Sequence, residues 1–443
     1  MDNVLAKKFT FPSLLLFALP NIIMMITLSM YIIVDGMFVS RLVGTTALSA
    51  VNMFYPAICF EMAAAIMIAT GGSAVVARKM GEGKQQEAQN NLSFLIAVEL
   101  LIGISVAVLG NLFTREIVTF LGANPTQAPL SIAYAKIIFT FAPAFFLQTA
   151  FQTFFVTAGK PTLGLIVTIL AGVTNIVLDY FFMAPLNMGV AGAALATGIG
   201  YCIPAVAGIL FFLTDKKSPL HFVRPKFDGR VLLQSCTNGS SEMVTNLANA
   251  ATTFLFNYTL LQFYGEDGVA SITIILYFQY IFTALYYGYS NGIASILSYK
   301  LGNDDKMQLQ SIFKSSILFL IISSILSNIL IRKTVTSALT IFTHANSDVY
   351  HITLHGFNIY SLAFIIMGVG IFASSMFTAF SDGKTSAVIS FSRTFIFIVG
   401  AVLILPALFG EIGIWTAVPI AEMLGFLVAL FYLIRKKNKF SYI

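Results

Sequence analysis

Apolar stretches long enough to cross a bilayer recur from one end of this 443-residue chain to the other. A helix needs roughly 20 largely apolar residues to span the hydrocarbon core. Inside that core every backbone N–H and C=O must find a partner within the protein. No segment alternates with the period of two that a membrane β-barrel strand requires. Only 10% of the residues are charged, against about 25% in soluble domains. The sequence therefore predicts an all-α integral membrane protein.

Charged breaks divide the chain into twelve expected spans, at approximately 13–38, 47–77, 92–112, 130–157, 162–184 and 190–213, then 232–262, 269–299, 312–331, 350–379, 385–409 and 413–435. The run that follows Lys7 and Lys8 continues from Pro12 to Met37 without a small-residue cleavage pattern, so it reads as a retained first span. Basic residues concentrate at the termini and in alternate loops, among them Arg78, Lys79, Lys84, Lys160, Lys216–Arg230, Lys300, Lys384 and Arg435–Lys439. The positive-inside rule then places both termini and the central linker in the cytoplasm of a cell, with the chain in its plasma or inner membrane. The basic pI of about 9.0 is thus a topology signal and gives no reason to expect nucleic acid.

The chain also repeats. A shift of about 221 residues lays Gly44 on Gly265, Gly71 on Gly292, Lys79 on Lys300 and Gly81 on Gly302. Six spans per half is an even number, so both halves enter the membrane from the same side, as parallel repeats with a cavity between them. The expected division is an N-lobe at 1–213, a linker at 214–230 and a C-lobe at 231–443.

Against this background, acids inside apolar spans stand out. Asp35 closes the first span, Asn175 and Asp179 lie four apart on one face of the fifth, and Thr197 follows a Gly/Ala-rich stretch of the sixth. A carboxylate at such depth costs roughly 3 kcal/mol on insertion scales unless it is solvated, paired or protonated. Two of them brought together cannot both stay ionised unless a cation sits between them. An all-oxygen set suits H⁺ or Na⁺ rather than a soft metal. Pro20, in the first span, lacks a backbone donor and is a candidate hinge.

These residues carry a family resemblance. The VDxxFV pattern at Asp35, the NxxxD pattern at Asn175 and Asp179, and the GxxGAAxAT pattern ending at Thr197 occur in the order found in multidrug and toxic compound extrusion (MATE) transporters. With the twelve spans, the chain resembles that family over essentially its whole length. The resemblance implies a cation site in the N-lobe at Asp35, Asn175, Asp179 and Thr197, export coupled to H⁺ or Na⁺, and bending of the first helix at Pro20. Glu242, in the seventh span, is similar to a glutamate that many members use in the C-lobe. The family's other C-lobe acid, in the tenth helix, has no match in GVGIFASSMFTAF.

Further candidates come from the residues alone. Glu61 lies mid-span in the second helix and faces either the central cavity or a buried polar partner. Gln148 and Gln152 share a face of the fourth span, and Tyr277 and Tyr280 belong to an aromatic eighth span able to hold flat cations through cation–π contacts. Glu99, Glu411 and Glu422 read as interfacial or structural, and Arg393 as pairing with an acid or reaching the cytoplasmic face.

The combined expectation is a monomeric secondary exporter of amphipathic, often cationic compounds, working by alternating access in the lipid bilayer without an organic cofactor. No GxxxxGK[ST] segment offers a nucleotide site. No HExxH motif or intramembrane Ser–His pair suggests an enzyme. The rival reading is a flippase of a lipid-linked or amphipathic metabolite in the same wider superfamily, which predicts a cationic cavity where this chain places acids.

Overall fold

The computed structural model of the protein describes residues 4–123, 125–340, 343–345 and 347–443, without the side chains of Ile32, Ile33, Ser40, Thr45 and Glu266. Its helices in the first half are α1 (Phe11–Phe38), α2 (Thr45–Gly81), α3 (Gln85–Leu112), α4 (Thr114–Phe120), α5 (Ala128–Thr140), α6 (Ala142–Thr157), α7 (Pro161–Met183) and α8 (Gly189–Thr214). The second half holds α9 (Gly229–Gly302), α10 (Lys306–Leu339), α11 (Asp348–Tyr360), α12 (Ala363–Ala379), α13 (Gly383–Phe391), α14 (Ile398–Phe409) and α15 (Glu411–Phe440). No strand occurs among the described residues.

Nine helical stretches are individually long and apolar enough to cross a membrane, and two bent pairs bring the number to eleven among the described residues. The remaining expected span is the first arm of α9, residues 229–264, whose NGSSEMVTN stretch makes it too polar to stand out by composition. Gly265, at φ 63°, turns the chain between the two arms of α9 in a backbone conformation that suits glycine.

Two expected spans are broken rather than straight. The fourth is α5 and α6, bent by 54°, and the tenth is α11 and α12, bent by 52°. Pro143 accounts for the first break, because it removes a backbone donor in the first turn of α6. The second break has no proline. There Asn328 and Arg332 of α10 satisfy the freed groups: Asn328 Nδ2 donates to the Ser361 carbonyl at 2.9 Å, and Arg332 Nη2 to the Asn358 carbonyl at 3.1 Å. Ala142 and Ala363, which open α6 and α12, are related by the same shift of about 221 residues that aligns the glycines. The repeat is thus kept in the backbone even where its chemical cause differs.

The two halves meet where the chain ends lie. Leu5 is buried, the Lys300 ammonium donates to the Ala6 carbonyl at 3.1 Å, and Tyr442 packs on Phe380 at the end of α12. At this end α2 crosses α9 with backbone against backbone. A Cβ on Gly71 would overlap the Ser235 carbonyl, and one on Gly239 the Met67 carbonyl. The repeat places Ala18 where Gly239 stands and Gly292 where Gly71 stands, and Gly292 indeed packs on Ala18 of α1. The α1 crossing is further pinned by Asn21 Nδ2, which donates to the Gly288 carbonyl at 2.7 Å, and α6 also meets α9 here, with the Thr157 and Ser295 hydroxyls 3.0 Å apart. The non-helical linker at 215–228 runs against α3, where Gln85 and Gln89 both donate to the Pro219 carbonyl and Ser93 Oγ accepts from Val223 N–H.

If these glycine crossings hold the halves together, Gly239→Leu should destabilise the protein by about 1–3 kcal/mol through overpacking. Thermal unfolding of the detergent-purified variant checks this; a midpoint equal to that of the unsubstituted protein would mean the contact is not made.

Candidate functional site

The last turns of α1 carry Asp35, and α7 packs against both α1 and α8. Asn175 and Asp179 stand one turn apart on α7, facing Thr197 on α8; exposure is 1% for Asn175, 0% for Asp179 and 5% for Thr197. The small residues at the start of α8 permit this approach: Gly192 lies against Phe182, and Gly200 against the Ala171 carbonyl and Asn175 Cβ. Asn175 Nδ2 donates to Thr197 Oγ1 at 3.3 Å. The Asp35 and Asp179 carboxyl groups interact directly with one another. The four sequence candidates therefore converge on one point.

What this point lacks is donors. Asp35 Oδ1, both Asp179 carboxylate oxygens and Asn175 Oδ1 are buried with no hydrogen-bond partner among the described residues. Buried polar atoms almost always find a partner, and leaving one without costs about 1–3 kcal/mol, more for a charged group. Four unpaired oxygens around one carboxylate pair are the coordination that a proton or a small hard cation completes. The described residues contain no group of three or more His, Cys, Asp or Glu that would hold a metal ion. The donor set is all oxygen, which suits a proton or a hard cation better than a soft transition metal.

Three tyrosines surround this site, and none was a sequence candidate. Tyr31 approaches Thr197, Tyr201 approaches Tyr31, and Tyr134 sits in the field of both Asp35 and Asp179. Helical spacing could have found two of them, since Tyr31 precedes Asp35 by four residues and Tyr201 follows Thr197 by four. Tyr134, on α5, offered no such signal.

Glu61 joins the same neighbourhood. It is 7% exposed, it interacts electrostatically with Tyr134 and Tyr201, and its Oε1 has no partner. It is buried within the first half near these two tyrosines, without a hydrogen bond from either. Gln148 and Gln152 line a cavity of about 20 Å³ with Tyr31, Thr168, Asn175 and Tyr201, enough for about one water. Gln152 Nε2 donates to Thr168 Oγ1 at 3.0 Å. Pro20 lies within a continuous α1.

In the second half, Glu242 is buried beside Tyr287 and in the field of Arg393. Arg393 pairs with Glu422, both buried, so Glu422 is not interfacial. Glu99 is not interfacial either: it is fully buried and both its oxygens lack partners. Glu411 remains half-exposed, 3.8 Å from His355. Tyr280 is partly exposed and meets Tyr55 and Cys59 of α2 across the boundary between the halves. Tyr277 neighbours Tyr280. A larger pocket of about 980 Å³ opens between the two arms of α9, lined by Asn257, Tyr258, Asp267 and Thr273 among others; no sequence feature pointed to it.

The MatE family model matches this chain twice, at residues 20–181 and again at 242–403. The chain belongs to the MatE family. Multidrug export protein MepA of Staphylococcus saprophyticus is 23% identical over 97% of this chain and 95% of its own length. Probable multidrug resistance protein YoeA of Bacillus subtilis is 24% identical over 61% of this chain and 60% of its own. Among solved structures, an outward-facing multidrug resistance MATE family transporter superposes with a TM-score of 0.91 at 20% identity, covering 98% of both chains. A Pyrococcus furiosus transporter described as having a binding pocket of reversed polarity, suggesting a different function, scores the same 0.91 at 19% identity, covering 99% of both. The MatE fold is therefore shared by this chain, and the comparison with Pyrococcus shows that fold alone does not assign a cargo.

The donor-poor pair at Asp35 and Asp179 has a measurable cost. At alkaline pH without Na⁺, when both carboxyls are ionised, Asp179→Asn should raise stability by about 1–3 kcal/mol, because the new amide can donate to Asp35. A thermal midpoint that stays the same or falls would contradict the pairing described.

Proposed function

We propose that this protein is a secondary active multidrug exporter that exchanges amphipathic, often cationic organic compounds for H⁺ or Na⁺ by alternating access. The observation that carries the coupling is the group of unpaired oxygens at Asp35, Asp179 and Asn175. The likeness to MepA, named a multidrug export protein, over nearly the full length of both chains supports the choice of cargo.

In this reading the coupling cation enters from the outer side and settles between Asp35 and Asp179, with Asn175 and Thr197 completing the oxygen shell. Before it binds, two carboxylates repel each other in a medium of low dielectric; afterwards that repulsion is gone. A cation that binds one conformation more tightly than the other shifts the balance between them by that difference in affinity, and cargo leaves on the side then open. Asp35 and Asp179 sit on different helices, α1 and α7, so drawing their carboxyls together moves α1 relative to the rest of its half. Pro20 is the natural point for α1 to yield. Tyr280 and Glu242 on α9, and Tyr55 on α2, offer the aromatic and acidic surface that a flat organic cation would meet.

The same reading places the molecule in the cell membrane as a monomer with both termini in the cytoplasm. The glycine crossings then close its cytoplasmic side. A flippase for an anionic lipid-linked cargo would require free positive charge inside, whereas the buried arginine here is cancelled by Glu422.

The test is efflux from proteoliposomes under an imposed pH gradient and, separately, an imposed Na⁺ gradient. Asp35→Asn and Asp179→Asn should each lower gradient-driven efflux at least about tenfold at equal protein content, equivalent to some 1.4 kcal/mol. Undiminished efflux in both variants would sink the coupling assignment. Orientation is checked by cysteine labelling: a residue placed at Lys216 should react only from the cytoplasmic side.

A further inference from the structure

The second half of the molecule buries a charge cluster that this coupling scheme leaves unused. Arg393 sits in a π-turn, Ser392–Phe397, that interrupts the eleventh span. Such local insertions in helices are frequent at functional positions. Two glycines make room for its stem: a Cβ on Gly425 would fall 2.8 Å from Arg393 Cγ, and one on Gly370 would fall 3.1 Å from Cδ. Arg393 Nε donates to both carboxylate oxygens of Glu422, at 2.8 and 3.1 Å. The guanidinium also meets the Tyr287 hydroxyl, and Tyr287 in turn lies in the field of Glu242. Among the described residues Glu242 has no cation within salt-bridge distance, although Arg393 is near enough to act on it electrostatically.

We propose that Glu242, Arg393 and Glu422 form one ionic site, in which Glu422 holds and cancels the guanidinium so that the cluster carries the charge of a single carboxylate and selects organic monocations over dications. The inference rests on the reading of this protein as an exporter of organic cations, but not on how export is driven.

The cluster lies in a low-dielectric place, where each uncompensated charge is costly. One positive charge neutralises the cluster. A second would remain buried without a partner, at a cost no surface salt bridge could offset. It would also face the Arg393 guanidinium at short range. Were Arg393 free to turn, it would itself neutralise Glu242 and shut the site. The bonds from Nε to Glu422 and the close walls at Gly370 and Gly425 hold it back. Glu422 and Arg393 are thus positioning residues, and Glu242 is the group that meets the cargo.

Equilibrium binding to the full-length protein in nanodiscs, with no gradient imposed, tests this. The probes are tetraphenylphosphonium, a monocation, and a bis-quaternary ammonium with aromatic end groups. Glu422→Gln leaves the cluster neutral and should weaken tetraphenylphosphonium binding at least about tenfold. Arg393→Gln leaves two uncancelled acids and should move the dication-to-monocation affinity ratio at least about tenfold toward the dication. The double variant Arg393→Gln/Glu422→Gln carries the original net charge and should bind the monocation at least about threefold more tightly than Glu422→Gln.

If a single variant does not fold, the double variant and Glu242→Gln decide. A folded double variant that still prefers the monocation, with that preference lost in Glu242→Gln, supports the charge count; any other pattern overturns it. An unmoved affinity ratio in a folded Arg393→Gln also overturns it. Failure of the unsubstituted protein to bind either cation would instead reject the reading of organic-cation export on which the inference rests.

Discussion

Two buried carboxyl groups that act on one another and share no donor among the described residues, those of Asp35 and Asp179, are the constraint around which the first half is organised. In water such a pair would cost little. In hydrocarbon-like surroundings the same pair is stable only if a positive charge or a proton joins it. The surrounding chemistry leaves that place open. Asn175 spends its amide donor on Thr197 and turns its carbonyl oxygen free, while Thr197 is itself engaged by Asn175 and approached by Tyr31. The unmet demand is concentrated on one spot instead of being spread over the helices.

If the site fills and empties as proposed, it needs a frame that can alternate between two arrangements without unfolding. The glycine crossings between α2 and α9 supply a candidate for that frame. Backbone-to-backbone contact of small residues gains dispersion and close fit but few specific bonds, so it can open as a unit. The polar ties at this end are few and local, such as Asn21 to the Gly288 carbonyl and Lys300 to the Ala6 carbonyl. By contrast, the break within the tenth span is tied down by Asn328 and Arg332. In the proposed exchange cycle that bend would stay fixed within its half, and the surface between the halves would be the one to part.

Much of this was legible in the sequence because membranes make polar residues conspicuous. Asp35, Asn175, Asp179 and Thr197 stood out against apolar spans, and helical spacing placed two of them on one face. The repeat was visible from glycines, since a position that allows backbone contact tolerates no side chain. What stayed hidden depends on contacts between segments distant in sequence. Tyr134 approaches the acids only through the docking of α5, and Glu61 faces inward only because α2 turns that side toward Tyr201. Arg393 and Glu422 are 29 residues apart on neighbouring segments; an acid was one of the two partners the sequence allowed Arg393, but nothing in the spacing said which acid. The bend between α11 and α12 left no proline to announce it.

The duplication makes the difference between the halves informative. Under the shift of about 221 residues, Asp35 falls on Phe256, which is fully buried, and Glu242 falls on Asn21, whose amide is committed to the Gly288 carbonyl. Later in each half the alignment of Lys160 with Lys384 sets a shift of about 224. By it Asn175, Asp179 and Thr197 fall on Val399, Leu403 and Ala421, while Arg393 falls on Ile169. Each half thus replaced with apolar or committed residues the charges that the other keeps. Two copies of one fold carry unlike electrostatics at different depths, since Glu242 aligns with Asn21 and not with Asp35: an acid pair with open oxygens in the first, and an acid in the field of an arginine in the second. A pair of acids able to lose both charges suits a small cation that must come and go. A cluster fixed near one negative charge suits a larger cargo whose charge is permanent. In the proposed cycle, separate sites of this kind would need no direct competition to be coupled, because the shared surface between the halves is the element that both would bias.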